Sequence, residues 1–402
     1  MTVKEYIQKN ISLTVINNTE KRPNVFELPK PYSVPTVGET FRALFYWDTY
    51  FTNLALLELG DVEQAKNNVE DFAYLIKTLG FIPNANTSDM SDRSQPPFFS
   101  LMVRDIFNKT GDVDWLGEIY PALCDEHRFW IENRNTNVGL AHYGTTVSPD
   151  REANYAKWFT DRIGAENTLE MQKTYASNFL AQAESGWDFN ARFDFDSIDY
   201  CPVDLNALLW ALEDNLAKFA EALGNREADK WRAAADTRAL KMREFLLDSD
   251  GVFRDRNSVT GKFSSYTSMA SLFPLFVGLA NAKEAQATVK YALPKLLHAW
   301  GVVPLEELDD GYNYQWGSPN GWPCLQVVAA VGLANCGYID ESDKIANLYV
   351  TMVENVFEET GALWEKYNLD SGNSDAKNEY EMPEMLGWTA GAYLYLKKQP
   401  QK

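Results

Sequence analysis

The chain has 402 residues, 45% of them hydrophobic, and carries 37 Lys and Arg against 57 Asp and Glu, a formal charge of −20. That apolar content supports a substantial core and argues against global disorder. The acidic balance disfavours DNA, RNA and anionic membranes, whose capture depends on neutralising phosphate.

The first 36 residues carry Pro23, Pro29, Pro31 and Pro35 and read as an extended N-terminal arm. Helical periodicity dominates from residue 37 onward. Val69, Phe72, Leu75, Ile76 and Leu79 form one stripe over residues 64–79. Leu205, Leu208, Leu209, Leu212, Leu216, Phe219 and Leu223 form another over 203–223, with Gly224 placed to end it. Ile345, Leu348, Tyr349, Met352 and Val356 form a third. Strand signals are scarce, and residues 252–255 and 362–365 read as short β pieces in loops. No serine-, glycine- or proline-rich linker divides the chain, so residues 37–402 are read as one all-α domain.

Cys124, Cys201, Cys324 and Cys336 form no Cys-x-x-Cys pair and fit no common zinc spacing, so they read as reduced, mostly buried thiols. The N-terminus lacks the apolar core of a signal peptide, and no apolar run is long enough to cross a bilayer. These features lead to the expectation of a cytoplasmic protein with no membrane or nucleic-acid partner. His127, His142 and His298 are scattered on ordinary text, and no metal or nucleotide fingerprint stands in credible context, so neither a metal nor an organic cofactor is expected. Oligomeric state is not legible.

Seven polar segments stand out, and all but the third couple aromatic rings to amides, carboxylates or guanidinium groups. They lie at residues 45–51, 80–86, 92–97, 185–193, 314–323, 364–368 and 378–384, the last shortly before Trp388. Sugars call for this mixture, because their hydroxyls take planar polar partners and their C–H faces take aromatic walls. Half of the 12 tryptophans belong here: Trp47, Trp187, Trp316, Trp322, Trp364 and Trp388. Within Ser185-Gly186-Trp187-Asp188, a carboxylate follows a tryptophan. A carboxyl group in a partly apolar pocket keeps its proton near neutral pH and can protonate a leaving sugar oxygen. The competing reading is a helix N-cap at Asp188 and tryptophans that fill the core.

The segments also resemble, in order, the motifs of the trehalase family of inverting α-glycosidases. The matching elements are Tyr46 to Tyr50, Gly80 to Asn84, Arg93 to Pro97, Ser185 to Asp188, Gln315 to Trp322, Glu365 to Tyr367, and Glu379-Tyr380 followed by Gly387-Trp388. The resemblance spans residues roughly 41 to 390 and implies an (α/α)6 toroid with its site in a funnel at one end. It implies Asp188 as general acid and Glu379 as general base, with Glu381 a minor rival. It also implies Trp47, Asp48, Asn84, Arg93 and Gln95 around the non-reducing sugar. Trp187, Trp316, Asn320 and Glu365 are further substrate-binding candidates, Glu365 being read as structural rather than catalytic.

Three departures stand out. Thr40 replaces a family arginine and Ala43 a common glutamate; Pro149-Asp150-Arg151-Glu152 only partly retains an Arg-Pro-Glu element; Gly317 replaces an aspartate. The implied reaction is hydrolysis of a small α-glucoside, most simply trehalose to two glucose molecules. The alternatives are another small α-glycoside such as glucosylglycerate or mannosylglycerate, a sugar epimerase, and a non-catalytic sugar binder. The scarcity of histidine weighs against the epimerase.

Overall fold

The computed structural model describes residues 1–17, 22–145, 154–157, 160–161, 172–194, 196–308, 311, 314–378 and 380–398. The helices are α1 (Val3–Asn10), α2 (Tyr46–Leu59), α3 (Val62–Leu79), α4 (Phe99–Thr110), α5 (Val113–Asn133), α6 (Gln172–Ser185), α7 (Val203–Ala222), α8 (Ala228–Phe245), α9 (Phe273–Phe276), α10 (Ala282–Leu296), α11 (Pro323–Asn335), α12 (Ile339–Thr360) and α13 (Gly387–Lys398).

Two kinds of helix alternate, and their sequences say which is which. In α2 every residue from Tyr46 to Leu57 is buried, and α11 is buried almost throughout from Pro323 to Leu333. A helix apolar on all sides belongs inside. By contrast α3 buries a stripe that includes Val69, Phe72, Leu75 and Ile76 and leaves the opposite face wet. The inner helices α2, α4, α7, α9, α11 and α13 each touch the next, and α13 returns to α2, closing a ring. Closure is tight: a Cβ at Gly391 would lie 1.8 Å from the Phe51 carbonyl oxygen, so only glycine lets α13 approach α2 this closely. This is the (α/α)6 toroid.

The N-terminal stretch is not extended throughout. A capping box between Thr2 and Glu5 starts α1, whose Val3 and Ile7 are buried, and Tyr6 packs on Phe357 of α12 with ring centroids 5.0 Å apart. Extended backbone is confined to its later part, where Asn68, Gln64 and Asp71 of α3 bind the chain at Ser33, Pro31 and Lys30. The β pieces also fall a few residues downstream of expectation. Tyr200–Cys201 pairs antiparallel with Arg256–Asn257, and Asn320–Gly321 with Tyr367–Asn368, in the register Asn320↔Asn368 and Gly321↔Tyr367. The second pair brings residues 364–368 against the loop before α11. Among the described residues no helix is long and apolar enough to cross a membrane.

One bond to the arm carries a pH dependence. Asp71 is fully buried and accepts the Lys30 amide at 3.0 Å. Burial pushes its carboxyl up to about 8. A raised carboxyl contributes stability that is fully present below the ordinary carboxylate range, near 4, and is lost as pH rises through about 8. Asp71→Asn, which mimics the protonated form, is therefore expected to flatten the fall in Tm between about pH 5 and pH 9. Equal slopes for the two proteins in a pH series of thermal melts would contradict this.

Candidate active site

The inner helices present their N-terminal ends to one side of the ring, and a cavity of about 310 Å³ lies there. Trp47 and Asp48 stand in the first turn of α2, and Gln95 lies just ahead of α4. Trp322 is the N-cap of α11, and Trp388 stands in the first turn of α13. All five line the cavity, with Asn84, Arg93, Asp188, Gln315, Trp316, Glu365 and Tyr380.

The wall is a tryptophan cluster. Trp316 stacks on Trp322 at 3.8 Å between centroids with planes 2° apart, and Trp388 meets Trp322 edge-on at 5.4 Å. Trp47 leans on Trp316 at 5.7 Å. Such faces suit the C–H side of a pyranose ring.

The carboxylates differ in their surroundings. Asp188 is half-buried; its backbone carbonyl accepts Gln315 Nε2 at 2.7 Å, which fixes the loop and not the carboxyl itself. Glu365 is buried, and its two oxygens have separate donors: Lys366 Nζ at 2.6 Å from Oε2 and Tyr380 OH at 2.7 Å from Oε1. Its carbonyl accepts Trp388 Nε1 at 3.0 Å, tying residue 365 to α13. Asp48 is buried, and that burial pushes its carboxyl up to about 8, with the neighbouring Glu365 and Asp188 carboxyl groups adding to the rise. Near neutral pH it is a proton-bearing group, able to donate to an acceptor.

A buried ion pair underlies this floor. Arg134 holds Glu184 in a fork, Nε–Oε2 and Nη2–Oε1 both 2.8 Å. Glu184 also accepts Ser94 N at 2.9 Å and Gly144 N at 2.6 Å. One side chain thereby joins the Arg93–Gln95 strip to the segment that leads into Asp188. Behind Asp188, fully buried Arg192 binds Asp204 and Asp255 and lies 4.6 Å from the Trp187 ring centroid.

Gly186 allows the remaining close contact. It has φ +72°, and a Cβ there would come 2.9 Å from Cε2 of Trp47. Gly186→Ala combines left-handed strain with displacement of a cavity wall, and kcat/KM is expected to fall about tenfold or more, for roughly 1.4 kcal/mol or more of lost transition-state binding. Steady-state kinetics with a thermal melt check this; unchanged kcat/KM would contradict the contact.

Of the sequence candidates, Trp47, Asp48, Asn84, Arg93, Gln95, Asp188, Trp316 and Glu365 meet at this cavity. Two do not line it. Asn320 is fully buried, and its amide donates to Gln315 O and Lys377 O and accepts Lys377 N, so it pins two loops together. Trp187 stacks behind Trp316 at 5.8 Å and so sits one layer out. Glu379 and residues 149–152 lie outside the described residues. Thr40 is exposed, and a Cβ at Gly317 would head toward Tyr314 at 3.2 Å; neither lines the cavity.

The candidates did not include Gln315, Trp322, Tyr380 and Trp388, which stood within or beside the marked segments, or Phe41 and Phe179, for which the sequence carries no signal. Among the described residues, buried Arg93 Nε and Gln315 Oε1 have no hydrogen-bond partner, whereas Asn84 gives its amide hydrogens to Ser94 O and Ala183 O. Buried polar groups are nearly always satisfied. Two unsatisfied ones in a cavity wall, beside carboxyl groups and indole faces, make a site for a small polyhydroxylated ring.

Toroid, cavity and family match together define a glycoside hydrolase. The chain belongs to the trehalase family, whose model matches residues 2–399. It is 33% identical over 401 residues to the periplasmic trehalase of Salmonella schwarzengrund (strain CVM19633), covering 94% of this chain and 69% of that one. The periplasmic trehalase of Salmonella agona (strain SL483) is 34% identical over the same length. Neutral trehalase from Saccharomyces cerevisiae superposes with a TM-score of 0.78 at 26% identity, over 100% of this chain and 80% of that one. Mannosylglycerate hydrolase from Thermus thermophilus, solved with Tris and D-glycerate, shares the fold with a TM-score of 0.66 at 17% identity, over 98% of each chain. The names of the Salmonella relatives overturn the expected cytoplasmic placement. Four unpaired cysteines do not separate the two compartments.

Proposed function

We propose that this glycoside hydrolase cleaves trehalose to two glucose molecules by single displacement, with inversion. The observation that carries the reading is that Asp188 and Glu365 face one tryptophan-walled cavity of about 310 Å³. That volume lies at the small end for ligand sites and suits one or two sugar rings, not a polymer.

In this reading Asp188 protonates the glycosidic oxygen as the bond breaks. A carboxylate on the opposite face takes a proton from water as that water attacks the anomeric carbon. The carboxyl groups of an inverting pair stand about 6.5–9.5 Å apart to admit that water. We give the base role to Glu365, not to Glu379. Glu365 faces the cavity, and two donors fix its oxygens. Glu379 is the second reading. Asp48, protonated near neutral pH, donates to a sugar hydroxyl, while Arg93, Gln95 and Asn84 take others.

An anionic glycoside such as glucosylglycerate suits the site less. The described lining residues include Asp48, Asp89, Asp188 and Glu365, and their one arginine, Arg93, is bound to Asp92. Among those residues there is no histidine to shuttle protons for an epimerase. The test is a panel of trehalose, kojibiose, nigerose, maltose, sucrose, glucosylglycerate and mannosylglycerate, read by NMR for monosaccharide release. Trehalose is expected to turn over fastest; silence on trehalose with turnover of another member would overturn the assignment.

A further inference from the structure

We infer that Lys366 is a positioning residue for hydrolysis: its ammonium, inside the wall, pairs with the Glu365 carboxylate and aims it while staying out of contact with substrate. The inference rests on the reading of Glu365 as general base.

Lys366 has no exposed surface. A buried ammonium is costly unless paired, so a lysine here needs a specific partner. Its Nζ stands 2.6 Å from Glu365 Oε2. The Trp322 and Tyr380 ring centroids lie 4.8 and 5.1 Å from it, which makes a cation–π cage. Lys366 itself does not line the cavity, whereas Glu365, Tyr380 and Trp322 all do. The ammonium therefore acts through the carboxylate, and the two rings that cage it also form the sugar-facing wall.

The groups facing Glu365 make that cation matter. Tyr380 donates to Oε1. From α2, Asp48 faces it, and the Asp188 carboxyl lines the same cavity. Asp89 also lines the cavity, as does Arg93, whose charge is taken by Asp92. Behind Asp48, burial holds the Cys324 thiol of α11 well above its ordinary range, so it contributes no charge. Glu384, bridged to Trp364, is exposed. Around a buried carboxylate, Lys366 is the adjacent cation that offsets burial. Removing it favours the protonated acid, which cannot accept a proton from water.

The test is the pH profile of kcat/KM on trehalose for wild type, Lys366→Met, Tyr380→Phe and Glu365→Gln. Lys366→Met is expected to move the acidic limb to higher pH by about one unit or more, so that activity lost near neutrality partly returns in alkali. Tyr380→Phe is expected to move it the same way by less, and it carries the test if Lys366→Met does not fold. A uniform loss across pH with an unmoved limb, or no loss, would overturn the inference. Turnover by Glu365→Gln close to wild type would instead remove the base assignment beneath it.

Discussion

Asp188→Asn is expected to lower kcat on trehalose by about 10²–10⁴-fold, the usual worth of a positioned general acid. The substitution keeps size and shape. It also keeps the bond from Gln315 Nε2, which goes to the Asp188 backbone carbonyl. Folding stability is therefore expected to stay within about 1 kcal/mol of wild type. What is lost is the proton for the departing sugar oxygen. α-Glucosyl fluoride, whose leaving group needs little protonation, should separate the two roles. Asp188→Asn retains much of its turnover on the fluoride, while Glu365→Gln loses both reactions, because no water is activated for either. Trehalose turnover by Asp188→Asn within tenfold of wild type would contradict the assignment. If Glu379→Gln and not Glu365→Gln loses both reactions, the base is Glu379.

The largest effect on stability is expected from Glu184→Ala, on the order of 3–5 kcal/mol, the range for breaking a buried ion pair from one side. The Arg134 and Glu184 side chains are 4% and 0% exposed, so the bare guanidinium has no water to fall back on. The substitution also strips acceptors from the amides of Ser94 and Gly144. Removing both charges in Arg134→Met/Glu184→Ala should recover part of the loss, since the stranded charge goes with its partner. Denaturant midpoints at constant m-value measure both; a single-variant loss under about 1 kcal/mol would mean the pair contributes little.

The fold was legible where apolar spacing was regular. The stripes over 64–79 and 203–223 correspond to Val62–Leu79 and Val203–Ala222. Helix α1 is masked in the sequence by the prolines at 23, 29, 31 and 35, which give the whole N-terminal stretch an extended look, although Thr2 and Glu5 stand at capping-box spacing. The site was legible as a set of segments but not in its layering. Asn320 and Asn84 look alike in sequence, yet Asn320 spends its whole amide on backbone groups while Asn84 lines the cavity. Trp187 and Trp316 are both tryptophans next to key loops, and only packing decides which one faces the cavity. Glu365 reads as structural in the sequence because nothing in Glu-Lys-Tyr says that the lysine turns back onto the glutamate, as it does here. The same holds for the departures at Thr40 and Gly317, whose positions lie off the cavity wall.

The central claim is inverting hydrolysis of trehalose, and the most direct measurement is proton NMR of the anomers formed in the first minutes, before mutarotation blurs them. Inversion at the attacked carbon yields β-glucose, and the other half leaves as α-glucose, so the account predicts both in equal amounts from the first spectrum. Release of α-glucose alone would mean a retaining reaction, and no release at all would mean that trehalose is not the substrate.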